Sequence, residues 1–381
     1  MSLIDSQWSV ADREYMARAI QLARKGLYTT HPNPRVGCVL VKDDVIVGEG
    51  FHFRAGEGHA EVNALAQAGI NAKGATAYVT LEPCSHYGRT PPCAEGLIKA
   101  GVVRVVSAMV DPNPQVAGRG IAMLCKAGIQ ASSGLLEAEA RALNPGFIKR
   151  METGKPFVRI KLASSLDGRT AMSSGESQWI TGPAARRDVQ KLRAQSSVIV
   201  TGVESIIHDD SALTVREEQL GLPDAVEIVK QQPLRVVLDS SLRTPTTAKI
   251  LKQPGRTLIA TCSTDQGLQR ALESEGAEIV LLPDEQGRVS LNALLEWLVQ
   301  NEQCNDLLVE TGATLAGAFM AQGLVDELHL YIAMKLLGSD ARPTFSLPLT
   351  KMAEQIELKQ IDSRMMGSDL KLVLTPVYGE Q

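Results

Sequence analysis

The side chains best able to do chemistry in this chain of 381 residues are His59, Glu61, Cys84 and Cys93. His59 and Glu61 stand one residue apart at the head of HAEVNALAQAG (59–69), an apolar stretch with helical spacing. Cys84 follows Pro83 at the end of the strand-like ATAYVTLE. Cys93 stands at the head of the helix-like PPCAEGLIKAG, where Pro91 and Pro92 suit a helix start.

A catalytic zinc takes three protein ligands, favours nitrogen and thiolate donors, and leaves a fourth position for water. One imidazole and two thiols meet that need, and a helix start favours the Cys93 thiolate. For H-x-E alone the plainer reading is two polar residues capping a helix, with the cysteines as small buried apolar groups. H-x-E, Pro-Cys at a strand end and Cys at a helix start, in that order, point to zinc. His86, within the intervening SHYGRTPP, is an alternative ligand to one cysteine; Cys93 is preferred because its helix orients the thiolate.

The elements that must position these groups alternate. VGCVLVK and VIVGEGFHF read as a strand pair joined at Asp43-Asp44, and VRVVSAMV is a further strand; DREYMARAIQLARKG and GRGIAMLCKAG read as helices. This order predicts an α/β layer with helices on both faces of a sheet. LLEAEARALNPGFIKRMETGKP has a helical pattern that runs through Asn144-Pro145-Gly146 and reaches Gly154-Lys155-Pro156, and the turn chemistry there predicts a linker near 145–156, hence domains at 1–147 and 156–381. A second α/β series follows, from FVRIKLASSLDGR to a final strand, VDELHLYIAM, whose apolar face is expected to serve a subunit contact in a dimer or tetramer.

Composition narrows the function classes. The net charge of −4 and the lack of a basic stripe disfavour a nucleic-acid partner. No apolar run reaches the roughly 18 residues of a membrane span, and the N-terminus lacks a secretory pattern. Six dispersed cysteines fit reduced thiols and a cytoplasmic setting.

The metal pattern resembles that of zinc nucleobase and nucleoside deaminases, H-x-E followed by P-C-x-x-C, where the glutamate is not a ligand. Here eight residues separate the cysteines rather than two. By that likeness zinc would make water a nucleophile near neutral pH, and Glu61 would carry its proton to the ring nitrogen and the departing ammonia.

THPNPRVGCVLVK, GEGFHFRAGEGHAE and TLEPCSHYGRTPPC are closely similar to the deaminase half of the bifunctional deaminase/reductases of bacterial riboflavin biosynthesis, whose pattern includes the longer cysteine spacing. KLASSLDGRTA, SGESQWIT, DDSALTVR and ETGATLAGAFMAQGLVDELHLYIAMKLLG extend the resemblance over almost the whole chain. It implies a cytidine-deaminase-like three-layer domain followed by a dihydrofolate-reductase-like domain. The first would remove an amino group from a diaminopyrimidinone ribosyl phosphate; the second would reduce the ribosyl group with NADPH.

The resemblance also implies residue roles. Asn33, His52, Ala60, His86 and Arg89 would contact the deaminase substrate, which removes His86 from the ligand set. Ser177, Arg193, Leu213, Arg216 and Glu310 would hold the reductase substrate, and arginines suit its phosphate. Ala163, Trp179, Ser205, Asp209 and the stretch Gly312, Ala313, Thr314, Leu315, Ala316, Gly317 and Ala318 would line the NADPH site. Lys161, Asp209 and Glu310 are candidates for the group that handles the proton at hydride transfer. No G-x-G-x-x-G follows the first strand, so a Rossmann domain is not expected.

Overall fold

The computed structural model describes residues 8–87, 91–114 and 116–379. The chain divides into two compact units, Met1–Lys155 and Pro156–Gln381.

The first unit contains helices α1 (Val10–Ala23), α2 (Ala60–Ala68), α3 (Cys93–Lys99), α4 (Arg119–Lys126), α5 (Glu137–Leu143) and α6 (Pro145–Thr153). Strands β1 (Gly37–Lys42), β2 (Val45–Phe51), β3 (Thr76–Val79), β4 (Arg104–Ser107) and β5 (Gln130–Ser133) form one sheet in the order β2-β1-β3-β4-β5. Alternation along β1 produces three layers, as side chains of a strand point to opposite faces in turn. Val39 and Val41 pack with Met16 of α1, Ala140 of α5 and Ile148 of α6. Cys38 and Leu40 pack on the other face with Ala64 of α2, Leu97 of α3 and Leu124 of α4. The β1–β2 turn falls at Asp43 and Asp44, both at positive φ.

The stretch near 145–156 is mostly helix, as its helical pattern predicts. α6 spans Pro145–Thr153, and Phe147 and Ile148 are buried in the first core. Asn144, which reads as a turn residue, is a long-range tie: its Oδ1 accepts from Arg35 N at 2.8 Å and its Nδ2 donates to Arg35 O at 2.9 Å.

The second unit contains β6 (Phe157–Ser165), β7 (Arg169–Ala171), α7 (Pro183–Gln195), β8 (Val198–Gly202), α8 (Val203–Asp209), α9 (Glu217–Leu220), α10 (Ala225–Val229), β9 (Leu234–Leu238) and α11 (Lys249–Lys252). There follow β10 (Thr257–Thr261), α12 (Gln266–Glu273), β11 (Ala277–Leu281), α13 (Leu291–Glu302), β12 (Asp306–Glu310), α14 (Ala313–Ala321), β13 (Glu327–Ala333), β14 (Arg342–Pro343), β15 (Glu357–Met366) and β16 (Asp369–Val377). Nine strands form one sheet, β11-β10-β9-β8-β12-β6-β13-β16-β15, parallel from β11 to β13 and closed by an antiparallel hairpin. α13 and α14 cover one face; α7, α8 and α12 cover the other.

The strand VDELHLYIAM is therefore not final and not a free surface. β13 pairs with β6 on one side and β16 on the other, and Leu328 and Tyr331 are buried. The exposed edge is β15, where Leu358, Ile361 and Met365 face solvent. Among the described residues no helix is long and apolar enough to cross a membrane.

Candidate active sites

In the first unit, glycines in β2 let α2 lie close to the sheet. A Cβ at Gly50 would fall 2.3 Å from Ala60 O, and one at Gly48 would fall 2.3 Å from Ala64 O. This contact fixes the start of α2, whose N-cap is His59. The His59 side chain makes no capping hydrogen bond. Its Nδ1 instead lies 3.2 Å from Cys93 Sγ and 3.6 Å from Cys84 Sγ, and all three donor atoms lie within 4.8 Å of one another. Tetrahedral zinc, with Zn–S about 2.3 Å and Zn–N about 2.0 Å, needs N···S separations of about 3.5 Å. The donor set and its spacing fit that ion.

Cys84 is held from the α3 side: the Cys93 amide donates to its sulfur at 3.2 Å and the Ala94 amide to its carbonyl at 3.2 Å. The hydrogen bond from Cys93, with help from His59, outweighs burial and draws the Cys84 thiol well below its ordinary value. The facing Cys84 pushes the Cys93 thiol up, as does burial. A metal cation at this point would favour both thiolates. Glu61, in the first turn of α2, is buried; desolvation, then the charge of Cys84, pushes its carboxyl up to about 7.

His52 is buried, with Nδ1 3.1 Å from Gly58 O and Nε2 3.1 Å from Asn33 Nδ2. Its ring stands edge-on to His59, with centroids 5.3 Å apart. Ala60 is fully buried, backbone included, and packs against Gly50 of β2. His86 is exposed beside the cluster, and Arg89 lies outside the described residues. Two acids beside the cluster were missed by the sequence reading. Glu82 is buried two residues before Cys84, and Asp111 is raised to about 6, mainly by burial. An acid directly before Pro-Cys at a strand end was the available signal for Glu82.

In the second unit, three elements bring Lys161 (β6), Arg193 (α7) and Glu310 (β12) together. Arg193 grips Glu310 bidentately, Nε–Oε1 2.5 Å and Nη2–Oε2 2.9 Å, and donates from Nη1 to Thr214 O at 3.1 Å. Its guanidinium is thus already committed to a carboxylate. Burial raises the cost of a charge on Glu310, yet Arg193 and Lys161 hold that carboxyl below its ordinary value. Burial lowers the Lys161 ammonium, opposed by Glu310 and helped by Arg193.

The remaining positions divide by accessibility. Ser177 Oγ lies 3.4 Å from Asp209 Oδ1, Asp209 and Arg216 are exposed, and Ser205 and Ala163 are partly buried. Trp179 is exposed under the Arg186 guanidinium, 4.5 Å from the ring centroid, whereas Leu213 is buried in the core. At the start of α14, Gly312 and Thr314 are exposed and Ala313 and Leu315 partly so. Ala316 is buried, and a Cβ at Gly317 would meet Ser346 O at 2.0 Å. Only the first turn of this helix is open to a dinucleotide; Ala316 and Gly317 serve packing, and Ala318 is partly buried.

A three-layer α/β unit with one imidazole and two sulfurs converging beside a buried glutamate defines a deaminase of the zinc class, here joined to a second α/β unit. Residues 9–109 match the cytidine and deoxycytidylate deaminase zinc-binding region, and residues 156–372 match the RibD C-terminal domain. The chain belongs to the RibD family of riboflavin biosynthesis proteins. It is 54% identical over 367 residues to riboflavin biosynthesis protein RibD of Escherichia coli (strain K12), covering 95% of this chain and 99% of that one. The RibD protein of Haemophilus influenzae is 51% identical over 379 residues, covering 97% and 99%. Among solved structures, Acinetobacter baumannii RibD (form 1) superposes with a TM-score of 0.89 at 50% identity, covering 97% and 99%. The diaminohydroxyphosphoribosylaminopyrimidine deaminase/5-amino-6-(5-phosphoribosylamino)uracil reductase of Thermotoga maritima gives 0.83 at 31% identity, covering 96% and 99%.

Proposed function

We propose that this chain carries out two successive steps of riboflavin biosynthesis on one phosphorylated intermediate. The first unit hydrolytically deaminates the pyrimidine of diaminohydroxyphosphoribosylaminopyrimidine with zinc. The second reduces the ribosyl group of 5-amino-6-(5-phosphoribosylamino)uracil to ribityl with NADPH. A deaminase and a reductase acting on these two compounds are what the name of the Thermotoga maritima relative gives. The observation that carries the reading is the convergence of His59, Cys84 and Cys93 beside buried Glu61.

His59, Cys84 and Cys93 hold the zinc, which when bound supplies a water acidic enough to act as a nucleophile near neutral pH. Glu61 would take one proton from that water and give it to the ring nitrogen, then pass the water's second proton to the leaving amino group, which departs as ammonia. Asn33 offers its carboxamide to the pyrimidine edge, and His86 contacts the rest of the substrate.

NADPH bound in the second unit would supply the hydride. Glu310 and Lys161 face the sugar, Arg193 holds Glu310 in place, and Asp209 with Ser177 lies nearer solvent. Lys161 is the first candidate for the proton because burial weakens its hold on one. Trp179, Ser205, Ala163 and the first turn of α14 take the dinucleotide.

Six free cysteines suit the cytoplasm. A dimer or tetramer would cover edge strand β15, with its exposed Leu358, Ile361 and Met365, better than it would β13. Light scattering reads the oligomeric state. The function itself is tested by following ammonia and NADPH separately. The reading expects ammonia without NADPH, and NADPH oxidation only once the deaminated product is present. Zinc-loaded protein that releases no ammonia from this substrate would overturn it.

A further inference from the structure

Glu82 is a buried acid that the chemistry above does not use. Its backbone amide donates to Met109 O at 3.0 Å, so its side chain starts at the strand end that leads through Pro83 to Cys84. The carboxylate gathers four backbone amides. Oε2 accepts from Asp111 N at 3.1 Å and Gly118 N at 2.9 Å; Oε1 accepts from Gly120 N at 2.8 Å and Ile121 N at 3.1 Å. Three of these amides belong to the start of α4, where unpaired N–H groups and the helix dipole favour a carboxylate.

The same contact is sterically closed. A Cβ on Gly120 would fall 2.0 Å from Pro83 O, so the first turn of α4 rests directly on the residue before Cys84. The fourth amide belongs to Asp111, whose own Oδ1 accepts from Asn113 N at 2.8 Å. Asp111 lies close enough to Cys84 and His86 for their charges to bear on it. One carboxylate therefore ties the approach to a metal ligand to a polar segment whose Asp111 lies near Cys84 and His86.

We infer that Glu82 is a positioning residue for the deamination, holding residues 111–113 and 118–121 as one wall of the substrate pocket. The inference rests on the deaminase reading above. It places Glu82 neither on the metal nor on the reacting atoms; it acts through the segment it grips. Such a wall binds the ground state and the transition state alike, so its loosening is read in KM more than in kcat.

The test is Glu82→Gln, which keeps one acceptor oxygen and turns an NH2 group against two backbone N–H donors. Hydrogen exchange at the Gly118, Gly120 and Ile121 amides should quicken. KM for the diaminopyrimidinone ribosyl phosphate should rise about tenfold or more while kcat moves by less than about threefold. Zinc should stay at one per chain and NADPH oxidation by the second unit should be unchanged. Gly120→Ala, which leaves the carboxylate intact but forces α4 off Pro83, should raise KM in the same way and carries the test if the first variant does not fold. An unchanged KM would overturn the inference, as would a fall in kcat and zinc content with KM unmoved, which makes Glu82 a support of the metal alone. Wild-type protein that released no ammonia would remove both this inference and the reading beneath it.

Discussion

His52 fixes the orientation of Asn33. The Gly58 carbonyl can only accept, so His52 Nδ1 carries the ring proton and donates to it at 3.1 Å, which leaves Nε2 as the acceptor for Asn33 Nδ2 at the same distance. Burial lowers the His52 pKa, with His59 acting in the same sense, and that keeps the ring neutral. One Asn33 donor is thus spent inside the protein, and its Oδ1 remains to accept from an amino group of the pyrimidine.

A first prediction follows from that arrangement. His52→Phe removes the acceptor and lets the Asn33 carboxamide turn, so the deamination should lose about 1–1.5 kcal/mol of substrate binding, close to a tenfold rise in KM. Steady-state ammonia release measures it. An unchanged KM would show that His52 does not orient Asn33.

A second prediction concerns stability and pH. Asp12 is buried, which pushes its carboxyl up, but Arg104 at 2.6 Å, Tyr78 at 2.7 Å and the Ser9 cap hold it well below the usual carboxylate range. A depressed folded pKa stabilises fully above the unfolded value, near 4, and the gain is lost as pH falls from there toward the folded value. Asp12→Asn should therefore destabilise by about 3 kcal/mol at pH 7, and the gap from wild type should narrow in acid. Denaturant unfolding at about pH 7 and about pH 3 measures both; a gap independent of pH would contradict the assignment.

A third prediction separates the two units. Glu310→Gln leaves the Arg193 guanidinium buried without its carboxylate and takes from Lys161 the charge that opposes its desolvation. NADPH oxidation should fall by about a hundredfold or more, the loss of a buried charge pair, while ammonia release is unaffected. Lys161→Met should likewise slow NADPH oxidation alone. A Lys161→Met enzyme with a wild-type reductase rate would take Lys161 out of the proton transfer.

How much of this was legible in the sequence depended on the range of each interaction. The metal cluster was readable because His59, Cys84 and Cys93 each mark the end of a local element, and the β1–β2 turn because Asp43-Asp44 interrupts two apolar runs. Glu82 was not readable as a clamp, since its partners return from residues up to 39 positions away. The tie made by Asn144 was hidden for the same reason, because its carboxamide is spent on the backbone of Arg35, 109 residues away, whereas the helical pattern running through Pro145 was legible and forms α6. The β15–β16 hairpin was missed because β15 is exposed along its length and lacks the apolar alternation of a half-buried strand, leaving only the Gly367-Ser368 turn as a sign. The union of Lys161, Arg193 and Glu310 spans three elements, and the reading of Arg193 as free for phosphate missed its bidentate hold on Glu310.

The most direct measurement is zinc-edge X-ray absorption on purified protein, with its metal content determined on the same sample. The account predicts one zinc per chain with two sulfur scatterers near 2.3 Å and one imidazole nitrogen among the lighter ones, and the same spectrum of protein ligands in Glu61→Gln protein that no longer releases ammonia. Protein without zinc, a spectrum with fewer than two sulfurs, or a ligand shell that changes when Glu61 is replaced would contradict it.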